Sequence, residues 1–292
     1  HEEPRILTAE AVARELLGRE VGNILRFDPI ARLGHDPEGV HQLRVGSRRL
    51  RSELHIISPV IKSTSLNELT RELGWISNIL GRLRDIDVLR KLLLSLRDDS
   101  LAGPSNSVLS ELDHDRHRER SRVGDALDSR RYRRLIISLT GAVLDPPFRS
   151  AAAQPASDVF MPGLHDAWAL LFETMDESGP SPTNEELHRL RILAKKSRYG
   201  TEIASSFLDT AADEIAAALA SAQTVLGTLH DHVVAANYLV NVQSVHEEDS
   251  EWTTPRIAAA AMIDQMTESI ERCRLQWREP LERARELVAA LS

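Results

Sequence analysis

Two stretches of this chain set a histidine ahead of cations at the same spacing. Val40-His41-Gln42-Leu43-Arg44-Val45-Gly46-Ser47-Arg48-Arg49-Leu50-Arg51 returns as Leu187-His188-Arg189-Leu190-Arg191-Ile192-Leu193-Ala194-Lys195-Lys196-Ser197-Arg198. His41, Arg44, Arg48, Arg49 and Arg51 each stand 147 positions before His188, Arg191, Lys195, Lys196 and Arg198, and a constant register of that kind marks an internal repeat. The chemistry open to such a set is anion binding. Arginine offers a planar fork to two phosphate oxygens, and lysine a movable point charge. Two copies imply a duplicated polyanion site.

Positioning these residues requires helices. Asp36 before Pro37 reads as an N-cap with proline at the first helical position, and Thr183 with Glu186 reads as a capping box; Asp36 and Thr183 are again 147 apart. Each histidine then falls in the second turn. At about 100° per residue, Arg44, Arg48, Arg51 and His55 all lie within about 80° of His41, as one narrow basic stripe. Leu43, Leu50, Leu54 and Ile57 lie on the opposite side, free to be buried. In the second copy His188, Arg191, Lys195 and Arg198 repeat the stripe, with Glu202 where His55 stands, while Arg49 and Lys196 point off it toward a neighbouring surface.

The competing reading is an ordinary solvated helix face. Such faces mix signs, because opposite charges at i,i+4 support a helix and like charges cost roughly 0.2–0.5 kcal/mol per pair. Here Val40 to Ser52 and Leu187 to Thr201 hold nine Lys or Arg and no acid, in a chain with 44 acids and 36 bases. Drawing nine bases in succession from that pool has a chance on the order of one in a thousand. Ligand binding therefore outweighs solvation.

Composition bounds the rest. With 292 residues, 42% hydrophobic and 27% charged, the chain can build one large or two medium cores. A lone cysteine, Cys273, excludes an intramolecular disulfide and fits a reducing compartment, and no apolar run approaches the roughly 20 residues needed to span a bilayer. A cytoplasmic location without membrane contact is expected. The net charge of −8 disfavours a generic nucleic-acid or membrane coat, so positive potential must be local. The first residue is His1 rather than methionine, which fits an excised fragment that has lost an upstream domain.

Apolar residues recur at helical spacing almost throughout, glycine and proline gather between segments, and no period-2 strand emerges. The fold class is all-α. The first half, residues 1–145, gives helices near Thr8 to Phe27, Pro37 to Ile57, Ser65 to Leu96 (with a possible break near Gly81) and Ser107 to Leu144. Residues 146–163, with Pro146, Pro147, Pro155 and Pro162, read as a linker. The second half, residues 164–292, gives Leu164 to Met175, Asn184 to Phe207, Ala211 to Val242 and Pro255 to Leu291, the last kinked or broken at Pro280.

A second motif falls on the third helix of each half. Leu80-Gly81-Arg82-Leu83-Arg84-Asp85 matches Leu226-Gly227-Thr228-Leu229-His230-Asp231 at an offset of 146. Glycine inside an apolar helix costs about 1 kcal/mol against alanine and usually admits a close neighbour. Asp85 and Asp231 read most simply as ion-pair partners that hold basic side chains in place.

These residues resemble the CHAD domain, a family named for its characteristic histidines on a helical fold. The resemblance covers nearly the whole chain. It rests on the paired His-x-x-Arg helices, the Leu-Gly-x-x-Arg-Asp element with its weaker second copy, and Ala126-Leu127-Asp128-Ser129-Arg130-Arg131-Tyr132-Arg133-Arg134-Leu135, which is similar to the family's fourth helix. The resemblance implies two four-helix bundles related by pseudo-twofold symmetry, with a basic cavity or tunnel between them. It also implies binding of inorganic polyphosphate, association with polyphosphate granules, and partners such as a CYTH-type triphosphatase domain or polyphosphate-metabolising enzymes.

Polyphosphate suits the residues on independent grounds, since it carries about one charge per phosphate and no base to read. Packing guanidiniums about 6 Å apart costs about 2–3 kcal/mol per pair at an effective dielectric of 20, and a bound anion offsets this. A histidine among several cations is expected to stay neutral and to take a proton when phosphate arrives, so the site should tighten as pH falls. Further bases extend the track in a second tier: Arg82 and Arg84 beside Asp85, and Arg118, Arg122, Arg131 and Arg134 from an arginine-rich run. Trp75, Trp168, Trp252 and Trp277 do not interleave with the bases, so the stacking platforms of single-stranded nucleic-acid binding are missing and the tryptophans read as core or interface anchors.

Two other functions compete. His165-Asp166 and His230-Asp231 could suggest an HD-type metal-dependent phosphohydrolase, but Arg84 stands where His230 stands in the repeat, and an arginine cannot be a metal ligand. No His-Glu-x-x-His, Walker or Gly-x-Ser-x-Gly motif is present, so no enzyme, catalytic residue, metal or cofactor is expected. An RNA-binding or scaffold protein would share the basic helices and differ in binding nucleic acid at matched charge.

Overall fold

The computed structural model describes residues 7–34, 36–96, 102–208, 210–246 and 248–291, with the side chains of 102–105 left aside. Among these residues the chain is α-helical, with ten α-helices, short 3-10 turns and no strand beyond two isolated bridges. The first five helices are α1 (Ala9–Leu33), α2 (Pro37–Ile56), α3 (Ser63–Ser95), α4 (Ala102–Asp128) and α5 (Arg130–Leu144). The second five are α6 (Ala156–Glu177), α7 (Asn184–Ala204), α8 (Ala211–Val245), α9 (Thr253–Gln276) and α10 (Arg278–Ala289).

The two site helices start where their caps dictate. The Asp36 carboxylate accepts from the Glu38 N–H at 2.8 Å with Pro37 in the first turn, and Thr183 and Glu186 form a reciprocal capping box at the head of α7. Both devices satisfy N–H groups that a helix start leaves without partners.

Helix α1 runs past Phe27 to Leu33 and α4 starts at Ala102 rather than Ser107, and four further differences from the sequence reading change how the chain is divided. Helix α3 runs unbroken through Gly81. The fourth segment of the first half divides at Ser129, whose hydroxyl accepts from the Tyr132 N–H at 3.1 Å and so starts α5 afresh. The last segment divides at Trp277 rather than at Pro280, because Pro280 lies in the first turn of α10, where no N–H is needed. Each half therefore has five helices in place of four. The fourth difference is the linker, which ends at Pro155. Helix α6 begins at Ala156 and carries Pro162 in its second turn, at the loss of one backbone hydrogen bond.

Three buried clusters hold the helices together. One is built mainly by α1 to α5 around Leu43, Leu50, Leu54 and Leu80, with Ala156 and Phe160 of α6 and Ile203 of α7 joining it, and a second lies within α6 to α10 around Trp168, Leu190, Leu226 and Leu281. The third is shared between the halves: Leu89, Leu93 and Leu112 of α3 and α4 pack with Leu239, Met262 and Met266 of α8 and α9. Helix α2 packs on α7, α3 on α8 and α4 on α9, so each helix at the junction meets its own counterpart. The same exchange occurs at the chain level. The Ala9 N–H donates to the Gln154 carbonyl at 2.9 Å, and the Ala156 N–H donates to the Leu7 carbonyl at 2.8 Å. Ala9 and Ala156 are counterparts at the 147 offset, and so are Leu7 and Gln154.

Candidate polyanion-binding site

Helices α2 and α7 each bury their leucine face in the cluster of their own half, which turns the basic stripes toward each other. The electrostatics record the result. Burial lowers the proton affinity of Arg44, and Arg48, Arg84 and Arg191 lower it further against the pull of Asp85. Lys195 is pushed down to about 7 by burial, then by Arg48, Arg191, Arg44 and Arg198. Cations of both halves thus share one region, and Arg44 and Arg191, like Arg48 and Lys195, act on their own counterparts.

The second motif brackets these cations. Arg44 donates to the Asp85 carboxylate at 3.2 Å. Arg191 is lowered by burial against the attraction of Asp231 and Asp85. Burial also holds the Asp231 carboxyl above its usual range, with Arg191 opposing and Asp85 reinforcing, so the two aspartates lie close to one another as well. The glycines admit the arginines. A Cβ on Gly81 would stand 3.4 Å from Arg44 Nε, and one on Gly227 would stand 3.8 Å from Arg191 Nε.

The histidines stand at one end of the stripe. Nδ1 of His41 and Nδ1 of His188 are both buried without a hydrogen-bond partner. Burial lowers the proton affinity of His41, and the Arg84 guanidinium beside it adds to the effect. In the second half the counterpart of Arg84 is His230, which packs on His188 at 4.7 Å between ring centroids and is pushed down to about 4 by burial, Arg191 and His188. Arg84 and His230 therefore do the same job beside the motif histidine. The His230-Asp231 pair belongs to this cationic network.

Arg51, Arg44, Arg48 and Arg82 line one concavity with Asp85, so Arg82 and Arg84 of the second tier join the stripe. Arg198 is half-buried on the Tyr199 ring at 5.2 Å, and the Lys195 ammonium rests on the same ring at 5.3 Å. Lys196 is exposed and faces His55. Tyr199 falls about 20° from His188 by helical phase, beside the stripe, but an uncharged side chain gives no sign of anion binding in the sequence.

Other predicted residues belong elsewhere. Arg49 leaves the stripe for the junction, where it bonds Glu53 at 2.7 Å and Glu202 at 2.8 Å and lies 3.3 Å from Glu20. Burial works against its charge, yet these three carboxylates raise its proton affinity. Arg118 and Arg122 are exposed on α4 and paired with Asp115 and Glu119 three residues earlier. Arg131 bonds Glu72 at 2.6 Å and covers the Trp75 ring at 4.2 Å, and with Arg134 it lines a separate groove that also holds Glu68. Trp168 and Trp277 are core residues, while Trp252 stacks on His246 at 3.7 Å. No helix among the described residues is long and apolar enough to cross a membrane.

Comparison with known proteins places this geometry in a family. The chain is 27% identical over 252 residues to two uncharacterized proteins of Mycobacterium tuberculosis, MT2285 and Rv2226, a match that takes in 82% of this chain and 46% of each relative. The chain thus spans about half the length of these curated relatives. Its fold is similar to the CHAD domain from the plant Ricinus communis, with a TM-score of 0.76 and 25% identity over 97% of both chains. It is also similar in fold to PptA from Streptomyces chartreusis, with a TM-score of 0.74 and 18% identity over 94% of this chain and 100% of that one. The CHAD domain family model matches residues 15–240, a span that holds both histidine helices and both Leu-Gly elements, and the chain belongs to the CHAD domain family.

Proposed function

We propose that this protein binds inorganic polyphosphate in a basic groove between its two helical repeats, without turning it over. One observation carries the reading. Matching cations of the two repeats, Arg44 with Arg191 and Arg48 with Lys195, lie close enough to act on each other, with Asp85 and Asp231 offsetting the repulsion at Arg44 and Arg191 and no carboxylate among the described residues offsetting it at Lys195. Like charges in that arrangement cost free energy that a bound polyanion returns. The imidazoles of His41 and His188, half-buried beside these cations with Arg84 and His230 as their counterpart neighbours, flank the same arrangement.

The reciprocal Ala9 and Ala156 hydrogen bonds and the counterpart contacts support a local twofold relation between helices α1–α5 and α6–α10. Such a relation gives one continuous track from two short stripes. A chain with a charge on every phosphate can follow it, whereas orthophosphate meets only a fraction of it. On this reading the protein acts at polyphosphate granules in the cytoplasm, as a targeting or organising module for a CYTH-type triphosphatase or another polyphosphate-metabolising partner. The test is titration with long-chain polyphosphate, orthophosphate and single-stranded RNA. Selective binding of the long chain supports the proposal, and equal binding of RNA contradicts it.

A further inference from the structure

The internal repeat allows a comparison that a single-copy fold would not. Beside Arg49 the first half is packed solid. The space around its guanidinium is taken up by Tyr199, whose ring lies 5.2 Å away, and by Glu20 and Glu53, which are 2% and 0% exposed. Leu16 lies in the same core and is also buried.

The counterparts of these four residues at the 147 offset are Ser52, Ala167, Gly200 and Gly163, and the counterpart of Arg49 is Lys196. All five line one cavity of about 620 Å³, within the range of small-molecule sites. A tyrosine, two glutamates and a leucine in one copy are thus a serine, an alanine and two glycines in the other. The cavity opens where those side chains are missing, although Leu164 closes over Gly200, its Cδ1 2.9 Å from where a Cβ would stand.

Its charge is inverted in the same way. Arg49 is met by Glu20, Glu53 and Glu202. The counterpart of Glu202 is His55, so Lys196 faces a histidine, and Arg51 stands at the same rim. Among the described residues no carboxylate lies within ion-pair distance of Lys196, Arg51 or His55. Phe160, Leu164, Ile56 and Phe207 supply apolar walls.

We infer that this cavity is a ligand site for an aromatic carboxylate, whose ring takes the place that Tyr199 fills in the other half and whose carboxylate meets Lys196 at the rim beside His55 and Arg51. The site shares only its rim with the polyphosphate track, and the inference does not rest on that function. A charge-assisted contact to a cation gives anchoring, and burial of an aromatic body gives most of the affinity.

The test is calorimetric titration of the full chain with 2-naphthylacetate, against uncharged 2-naphthylacetamide and aliphatic octanoate. Saturable one-site binding of the naphthylacetate is expected, with the amide at least about tenfold weaker, since one charge-assisted hydrogen bond is worth about that factor, and with octanoate weaker as well because it keeps the charge but lacks the aromatic body. Lys196→Gln should weaken binding by a similar factor. Ser52→Tyr restores the residue of the filled copy and should abolish binding while the melting temperature holds; Ala167→Leu repeats the occlusion from α6 should the first variant fold poorly. Equal binding of acid and amide, equal binding of octanoate, or unchanged binding in a folded occluded variant would overturn the assignment.

Discussion

Arg48 and Lys195 occupy equivalent positions in the two repeats, and after burial itself Arg48 is the strongest influence on the Lys195 ammonium. A cation placed opposite its own counterpart is the simplest outcome of folding a repeat back on itself with its basic faces inward. It also makes the ligand-free protein electrostatically uncomfortable, and the predictions below follow from that discomfort.

Lys195, brought down to about 7, should leave a pH signature on stability. An unfolded lysine titrates near 10.4, so between about pH 7 and 10 the unfolded chain holds a proton that the folded chain lacks. Stability must then rise with pH across that window, and the full cost of burying the charge is present below it. Thermal unfolding from pH 6.5 to 9.5 should show the rise in wild type and a flatter profile in Lys195→Met. Parallel profiles would mean that the lysine is solvated.

Polyphosphate should reverse these shifts. The anion favours the charged forms of Lys195, His41 and His230, all of which the ligand-free protein disfavours. Binding at pH 7.5 should therefore take up protons, visible as a binding enthalpy that changes with the ionisation heat of the buffer. Affinity should increase from pH 8 to 6, and Lys195→Met should take up fewer protons.

Neighbouring arginines should respond in opposite directions. Arg49→Ala leaves the buried Glu53 and Glu20 with Arg19 as their remaining cation and should cost about 1–3 kcal/mol of stability with little direct effect on polyphosphate contact. Arg48→Ala removes a like-charge contact, so it should hold or raise stability while weakening binding about tenfold or more. Paired denaturation and binding titrations separate the two.

Gly81 tests how the second motif works. A Cβ there meets Arg44 at an ordinary contact distance of 3.4 Å, so Gly81→Ala should gain about 0.5–1 kcal/mol of helix stability and keep binding. Gly81→Leu should displace Arg44 from Asp85 and weaken polyphosphate binding, measured by titration beside a melting curve.

Much of this was readable from the chain because it depends on local geometry. Helical phase put Arg44, Arg48 and Arg51 on one face, and Asp36 and Thr183 announced where the helices start. What escaped is what depends on contacts across the repeat. Helical phase turns Arg49 off the stripe toward a neighbouring surface, but only folding brings Glu20, Glu202 and the ring of Tyr199 to it. The opposite error occurs at Arg118 and Arg122, where acids three residues earlier neutralise a run that reads as basic. Ser129 was overlooked as a cap because the arginines around it extend the helical pattern on both sides.

The central claim, a multivalent phosphate track shared by both repeats, is tested most directly by the salt dependence of polyphosphate binding in wild type and in Arg44→Ala/Arg48→Ala/Arg191→Ala/Lys195→Ala. Each phosphate contact contributes about 0.7 to the slope of log affinity against log salt for a single strand, so removing four cations should flatten the slope by about 3. A quadruple variant with the wild-type slope would contradict the account and place polyanion binding elsewhere on the protein.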